Sequence, residues 1–140
     1  FKDERLQRHQ FDSFLLMFLE YPFVTANTLD DAIQTMAIFD LDSLISVRQD
    51  NSLFYNHDGK GMKAINDQDQ FTRIEREAIY KFTAGLMLTR VALFNDQKTF
   101  IGQRAGHIEV NQQAAMGLYT DFDVKIAKLI AEQELKPINK

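Results

Sequence analysis

Apolar and polar residues change their period several times between Thr28 and His57, and each change marks an element. From Thr28 to Phe39, Leu29, Ala32, Ile33 and Met36 recur at i, i+3, i+4 and i+7, which predicts an amphipathic helix. Thr28 followed by Asp31 is an acidic form of the capping box and marks its start. After Asp42 the period falls to two, with Ile45 and Val47 on one side. The polar Asp50-Asn51-Ser52 then separates this run from a second one holding Leu53 and Tyr55. A capped helix feeding a β-hairpin is therefore expected, with the rest of the chain built around it.

Upstream, residues 2–20 place Leu6, Phe11, Phe14, Leu15 and Phe18 at mostly helical spacing, and Leu16, Met17 and Leu19 make the later half apolar nearly all round. This predicts a long N-terminal helix that buries one face on its own domain and one on a partner or second copy, and that ends or bends at Pro22. A core helix of a monomer is the alternative. Downstream, His57-Asp58-Gly59-Lys60-Gly61 reads as a turn opening a polar excursion that runs to Glu77. Ile79 to Phe94 reads as a long central strand covered on both sides, Asn95 to Lys98 as a turn, and Thr99 to Asn111 as a second long strand of one twisted hairpin. Gly102 and Gly106 mark bulges or close packing in it. Residues 118–135 return to helical spacing, with Phe122, Ile126, Leu129 and Ile130 on one stripe. The expected fold is α+β: a central antiparallel sheet with helices on one face, a long N-terminal helix, a second helix before the first hairpin, and a C-terminal helix.

Composition narrows the function classes. The 140 residues fit a single domain, 1–140, and 45% apolar content with 12 Phe fills one core without disulfides or metal. A formal charge of -4 with scattered Lys and Arg argues against a nucleic-acid surface. The lack of Cys removes thiol catalysis and thiolate metal sites. No run of about 18 apolar residues occurs, so no membrane span is expected within these residues. The chain starts at Phe1 and both ends read as helix, which fits a piece of a longer protein.

The candidate chemistry is sparse. His57 sits at the mouth of the excursion and His107 in the last predicted strand, and these two with His9 have no metal-ligand spacing, so neither metal nor cofactor is expected. The pairs Asp40/Asp42, Asp67/Asp69 and Asp121/Asp123 lack the glycine and terminal Glu of a calcium loop and read as caps and solvated turns. There is no nucleophile elbow, P-loop or dinucleotide fingerprint. What remains is Arg48, Tyr55, Tyr80, Arg90, Arg104 and His107, long polar residues in or beside strands. Converging in pairs they hold a small anion such as a carboxylate; singly they are a wet sheet face whose stems cover apolar surface. Arg90 stands out because it interrupts an apolar strand, where a charge needs a partner, either a ligand or Glu109. Two readings compete: a protein-interaction or dimerisation domain without a small ligand, and a small soluble α+β enzyme or ligand carrier with Tyr80, Arg90 and His107 as acid, anion clamp and base.

Asp31 to Phe39, followed by Leu44-Ile-Ser-Val-Arg-Gln-Asp50, and Gly106-His-Ile-Glu-Val110 leading to Gly117-Leu-Tyr119 and a helix, together resemble the extracytoplasmic PAS-like sensor domains of bacterial membrane receptors. Within that set the likeness is to the LapD/MoxY-type periplasmic domains of cyclic-dinucleotide signalling proteins and sensor kinases. The resemblance implies a periplasmic ligand- or partner-sensing domain, held to the inner membrane by flanking segments, that drives a diguanylate cyclase/phosphodiesterase or histidine kinase output. It implies a homodimer through the first helix, at Phe11, Phe14 and Phe18, with a small anion or a periplasmic protein as partner. No binding residue is carried over from the family.

Overall fold

The computed structural model describes residues 11–65 and 79–134. Along them run β1 (Ser13–Leu16), α1 (Ala26–Ile38), β2 (Ser43–Asp50), β3 (Tyr55–His57), β4 (Met62–Ala64), β5 (Ile79–Arg90), α2 (Val91–Gln97), β6 (Ala105–Glu109) and α3 (Asp121–Glu134). The main sheet has the order β1-β5-β2-β6, and β3 with β4 forms a separate hairpin. β1 and β2 are antiparallel to β5, whereas β6 lies parallel to β2. The fold is α+β as expected, but its sheet is mixed rather than antiparallel.

Residues opposite one another across a ladder share a face. Leu15, Leu88, Leu44 and Gly106 therefore lie together, and α1 packs on that face. Ala32 and Met36 of α1 meet Leu44, Leu86 and Leu88, with Leu15, Leu29, Leu41 and Ile108 around them. Each fully buried leucine contributes about 2 kcal/mol relative to exposure. The opposite face is covered at one end by α2 and the loop after it. There Phe14 sets its ring edge-on to Phe94 and Phe100, at 5.6 and 6.1 Å between centroids, and the Thr89 hydroxyl donates to the Phe100 carbonyl at 2.8 Å. Helices thus sit on both faces, not one.

The cap of α1 lies three residues before the expected one. Thr25 is the N-cap, in extended geometry, and its hydroxyl accepts the Thr28 amide at 3.3 Å. Its C-terminal end closes with the Leu41 amide donating to the Met36 carbonyl at 3.0 Å and Asp40 at φ 47°, in the left-handed position that glycine usually fills.

Four further expectations change. Ser13–Leu16 is an edge strand, not part of a helix, because an all-round apolar run suits a strand with both faces covered equally well. Residues 11, 12 and 17–20 of the expected N-terminal helix are not helical either, its residues 2–10 lie outside the described residues, and so does the part of the excursion from 66 on. β2 does not pair with the Tyr55 run; Tyr55–His57 pairs with Met62–Ala64 across a turn in which the Lys60 and Gly61 amides donate to the Asp58 carboxylate at 2.9 and 3.1 Å. β5 stops at Arg90, whose amide donates to the Asp42 carbonyl at 2.9 Å, and α2 occupies the residues read as strand and turn. β6 is short and pairs with β2 instead of closing a hairpin with β5. Gly106 is a close approach rather than a bulge: a side chain there would collide with Leu41.

The bulge lies in β5. Ile45 pairs with Met87 but Ser46 with Thr83, so Ala84, Gly85 and Leu86 have no partner on β2. Ser46, 1% exposed, closes the gap with its hydroxyl. It donates to the Thr83 carbonyl at 2.6 Å and accepts from the Leu86 amide at 3.1 Å and the Thr83 hydroxyl at 3.0 Å. Tyr21 and Val24 press on Gly85, where a Cβ would fall 2.9 Å from Val24 Cγ2.

α3 starts with a reciprocal cap: the Asp123 carboxylate accepts the Thr120 amide at 2.8 Å and the Thr120 hydroxyl accepts the Asp123 amide at 3.2 Å. The Thr120 hydroxyl, which also donates to the Asp123 carboxylate at 2.8 Å, and after it the Thr120 and Tyr119 amides hold that carboxyl below its ordinary range. Of the expected stripe, Ile126 and Ile130 are half-buried beside buried Ala127, while Phe122 and Leu129 remain exposed.

Candidate functional site

On its open face the sheet brings together two of the six candidate residues, Tyr80 and His107. Beyond the end covered by α2, the face opposite α1 carries Met87, Ile45, Val47, Phe82, Tyr80 and His107. Tyr80 is opposite Gln49 and His107 opposite Ile45, four positions apart along β2, yet the two side chains lean toward each other and their rings meet over β2, at 5.4 Å between centroids and a tilt of 45°. Val47 is buried beneath this shelf, whereas Tyr80 is 47% and Phe82 43% exposed. The result is an apolar, aromatic surface with an imidazole and a phenol at its edge, and both polar groups are able to donate and accept hydrogen bonds. Among protein-family models and curated proteins, none matches this chain.

The other candidates are placed elsewhere. Arg48 is on the α1 side of β2, 3.3 Å from Asp50. The Asp50 carboxyl lies below its ordinary range, held there by the Ser52 hydroxyl and amide and then by Arg48. Tyr55 belongs to the β3–β4 hairpin, and His57 in the same strand accepts the Gly59 amide on Nδ1 at 3.1 Å. Among the described residues no three His, Asp or Glu side chains group as metal ligands. His9, Asp67 and Asp69 lie outside the described residues. Of the expected dimer residues, Phe14 is turned against Phe94 and Phe100, while Phe11 and Phe18 are 52% and 44% exposed.

Arg90 has a protein partner, and it is Asp40 rather than Glu109. Its Nη2 donates to Asp40 at 2.8 Å and its Nε to the Leu41 carbonyl at 2.7 Å, while Arg104 takes the other Asp40 oxygen at 3.0 Å. Asp42 completes the junction by accepting the Arg104 amide and the Ser43 hydroxyl, both at 3.0 Å. Gly102 is required beside it, because a Cβ there would lie 2.5 Å from the Asp42 carboxylate. These arginines tie the α1–β2 turn to the end of β5 and the approach to β6. With Arg90 36% and Asp40 69% exposed at their side chains, the ion pair is well screened. Arg90→Met is expected to leave the fold intact and cost about 1–2 kcal/mol, mostly the Leu41 hydrogen bond, in urea unfolding.

A second junction joins the segment before α3 to the sheet. The Leu118 amide donates to the Glu20 carbonyl at 2.8 Å, and the Tyr21 and Tyr119 hydroxyls meet at 2.7 Å. The Tyr119 ring is largely exposed but its hydroxyl turns inward, and the bond to Tyr21 pushes the Tyr119 pKa up from 10.0 to about 12. A pKa raised on folding gives stability that is complete below the unfolded value and is lost as pH rises through the folded one. Stability is therefore expected to fall between about pH 10 and 12, with phenolate absorbance rising, and Tyr119→Phe is expected to remove Tyr119's part of that fall.

Sequence patterning assigned no role to Ser46, Thr83, Phe82 or the two tyrosines. For the first pair a signal existed: two small hydroxyl residues inside otherwise apolar strands. A buried hydroxyl requires a partner.

Proposed function

We propose that this chain is an extracytoplasmic sensor domain of a bacterial membrane receptor. It takes a ligand or a periplasmic protein on the open sheet face and passes the event to a cytoplasmic output module of the diguanylate cyclase/phosphodiesterase or histidine kinase type. It acts by binding rather than by catalysis. The observation that carries this reading is the convergence of Tyr80 and His107 beside exposed Phe82. A route outward supports it: Tyr21 presses on the β5 bulge and bonds to Tyr119, two residues before α3. Transmission requires that the ligand bind one arrangement of this route better than the other.

The test is a thermal-shift screen of the wild-type chain, His107→Ala and Tyr80→Ala against amino acids, organic acids and nucleotides. A ligand at 100 times its dissociation constant stabilises by about 2.7 kcal/mol. That shift is expected in the wild type and lost in both variants. An equal shift in all three would remove the sheet face from the reading. The openness of the shelf favours the protein-partner form, since small ligands are held in concave sites, and a flat screen with all three proteins folded selects that form.

A further inference from the structure

The outer edge of β1 is chemically unfinished. The Asp12 carbonyl accepts the Val91 amide at 2.9 Å, so Asp12, Phe14 and Leu16 direct their backbone groups to β5, and Ser13, Leu15 and Met17 direct theirs outward. Among the described residues no backbone group bonds to that outer row. From Ser13 to Leu19 the chain holds no charge and no proline, the usual devices that blunt an edge. Met17, Phe18 and Leu19 at its end are 49%, 44% and 95% exposed. The other edge strand, β6, differs: it carries His107 and Glu109 and follows Arg104.

We infer that the β1 edge is a self-association seam, at which the same strand of a second copy pairs antiparallel and joins two sheets into one. Row chemistry demands a strand, and self-complementarity selects this one. A two-fold axis through Leu15 sets Leu15 against Leu15 and Ser13 against Met17 of the second copy, so the outward groups of both strands bond in register. The same register sets Phe14 against Leu16 and places Asp12 opposite Phe18, so the two acids flanking the run, Asp12 and Glu20, never meet. A seam this short is smaller than a standard stable interface, so the association is weak, with a dissociation constant on the order of micromolar. Pairing at this edge is independent of whether the sheet face binds a ligand.

Sedimentation equilibrium of the chain across the micromolar range, with amide exchange read at Leu15, tests it. The expected result is a rise from the single to the double mass, with the Leu15 amide becoming protected as concentration rises. Met17→Lys, at an exposed edge position, is expected to keep the single mass with an unchanged circular dichroism spectrum. A single mass at every concentration in the wild type overturns the inference, as does a double mass that Met17→Lys leaves intact.

Discussion

Ser46→Ala is expected to lower stability by about 2–4 kcal/mol, although it removes one oxygen atom. The Leu86 amide and the Thr83 hydroxyl both lose their acceptor, and the Thr83 carbonyl loses its donor, at a site 1% exposed where water does not replace them easily. Each buried polar group left without a partner costs about 1–3 kcal/mol, and partial rearrangement of the bulge recovers some of it. For a chain of this length the midpoint is expected to drop by roughly 6–15 °C. A midpoint within about 2 °C of the wild type would mean that the bulge closes without the hydroxyl.

Leu86→Ala is expected to have the largest effect, about 2–5 kcal/mol in urea unfolding with an unchanged slope. Leu86 is fully buried between α1 and the sheet, and β5 is irregular at this point, so its neighbours are pinned by the bulge and do not collapse into the space. Since Leu86 and Ser46 touch through backbone and hydroxyl, the double variant is expected to lose less than the sum of the singles. Strict additivity would show that the bulge and the α1 core are independent.

Helical stripes were legible where they were long and one-sided. α1 and α3 both fall where their periodicity put them, and only the cap of α1 moved, since Thr25 and Thr28 are both competent starts. Short apolar runs were not legible. Phe11 to Leu19 fits helix and strand alike, and Val91, Leu93 and Phe94 continue the apolar character of β5 while the backbone turns into α2. The pairing of β6 with β2 leaves no local trace, because a parallel ladder has no turn of its own to read. Tyr80 and His107 were legible as polar interruptions of strands. Their meeting depended on that ladder, and the engagement of Arg90 by Asp40 depended on the left-handed residue that ends α1.

The strand order β1-β5-β2-β6 has a consequence for how the chain acquires its structure. Among the described residues no ladder of the main sheet joins strands that are neighbours in the chain, since β3 and β4 lie between β2 and β5: Ser13 waits for Arg90, Ser43 for Thr89, and Ser43 again for Ala105. Closing such distant pairs comes before any of their favourable contacts, which makes folding slow relative to helical domains of equal size. During synthesis β1 and β2 emerge with nothing to pair with until β5 has been made, and the first sheet to appear is the small β3–β4 hairpin. The run from Ser13 to Leu19 is therefore the segment that stays bare longest, and chaperone dependence is expected to concentrate there.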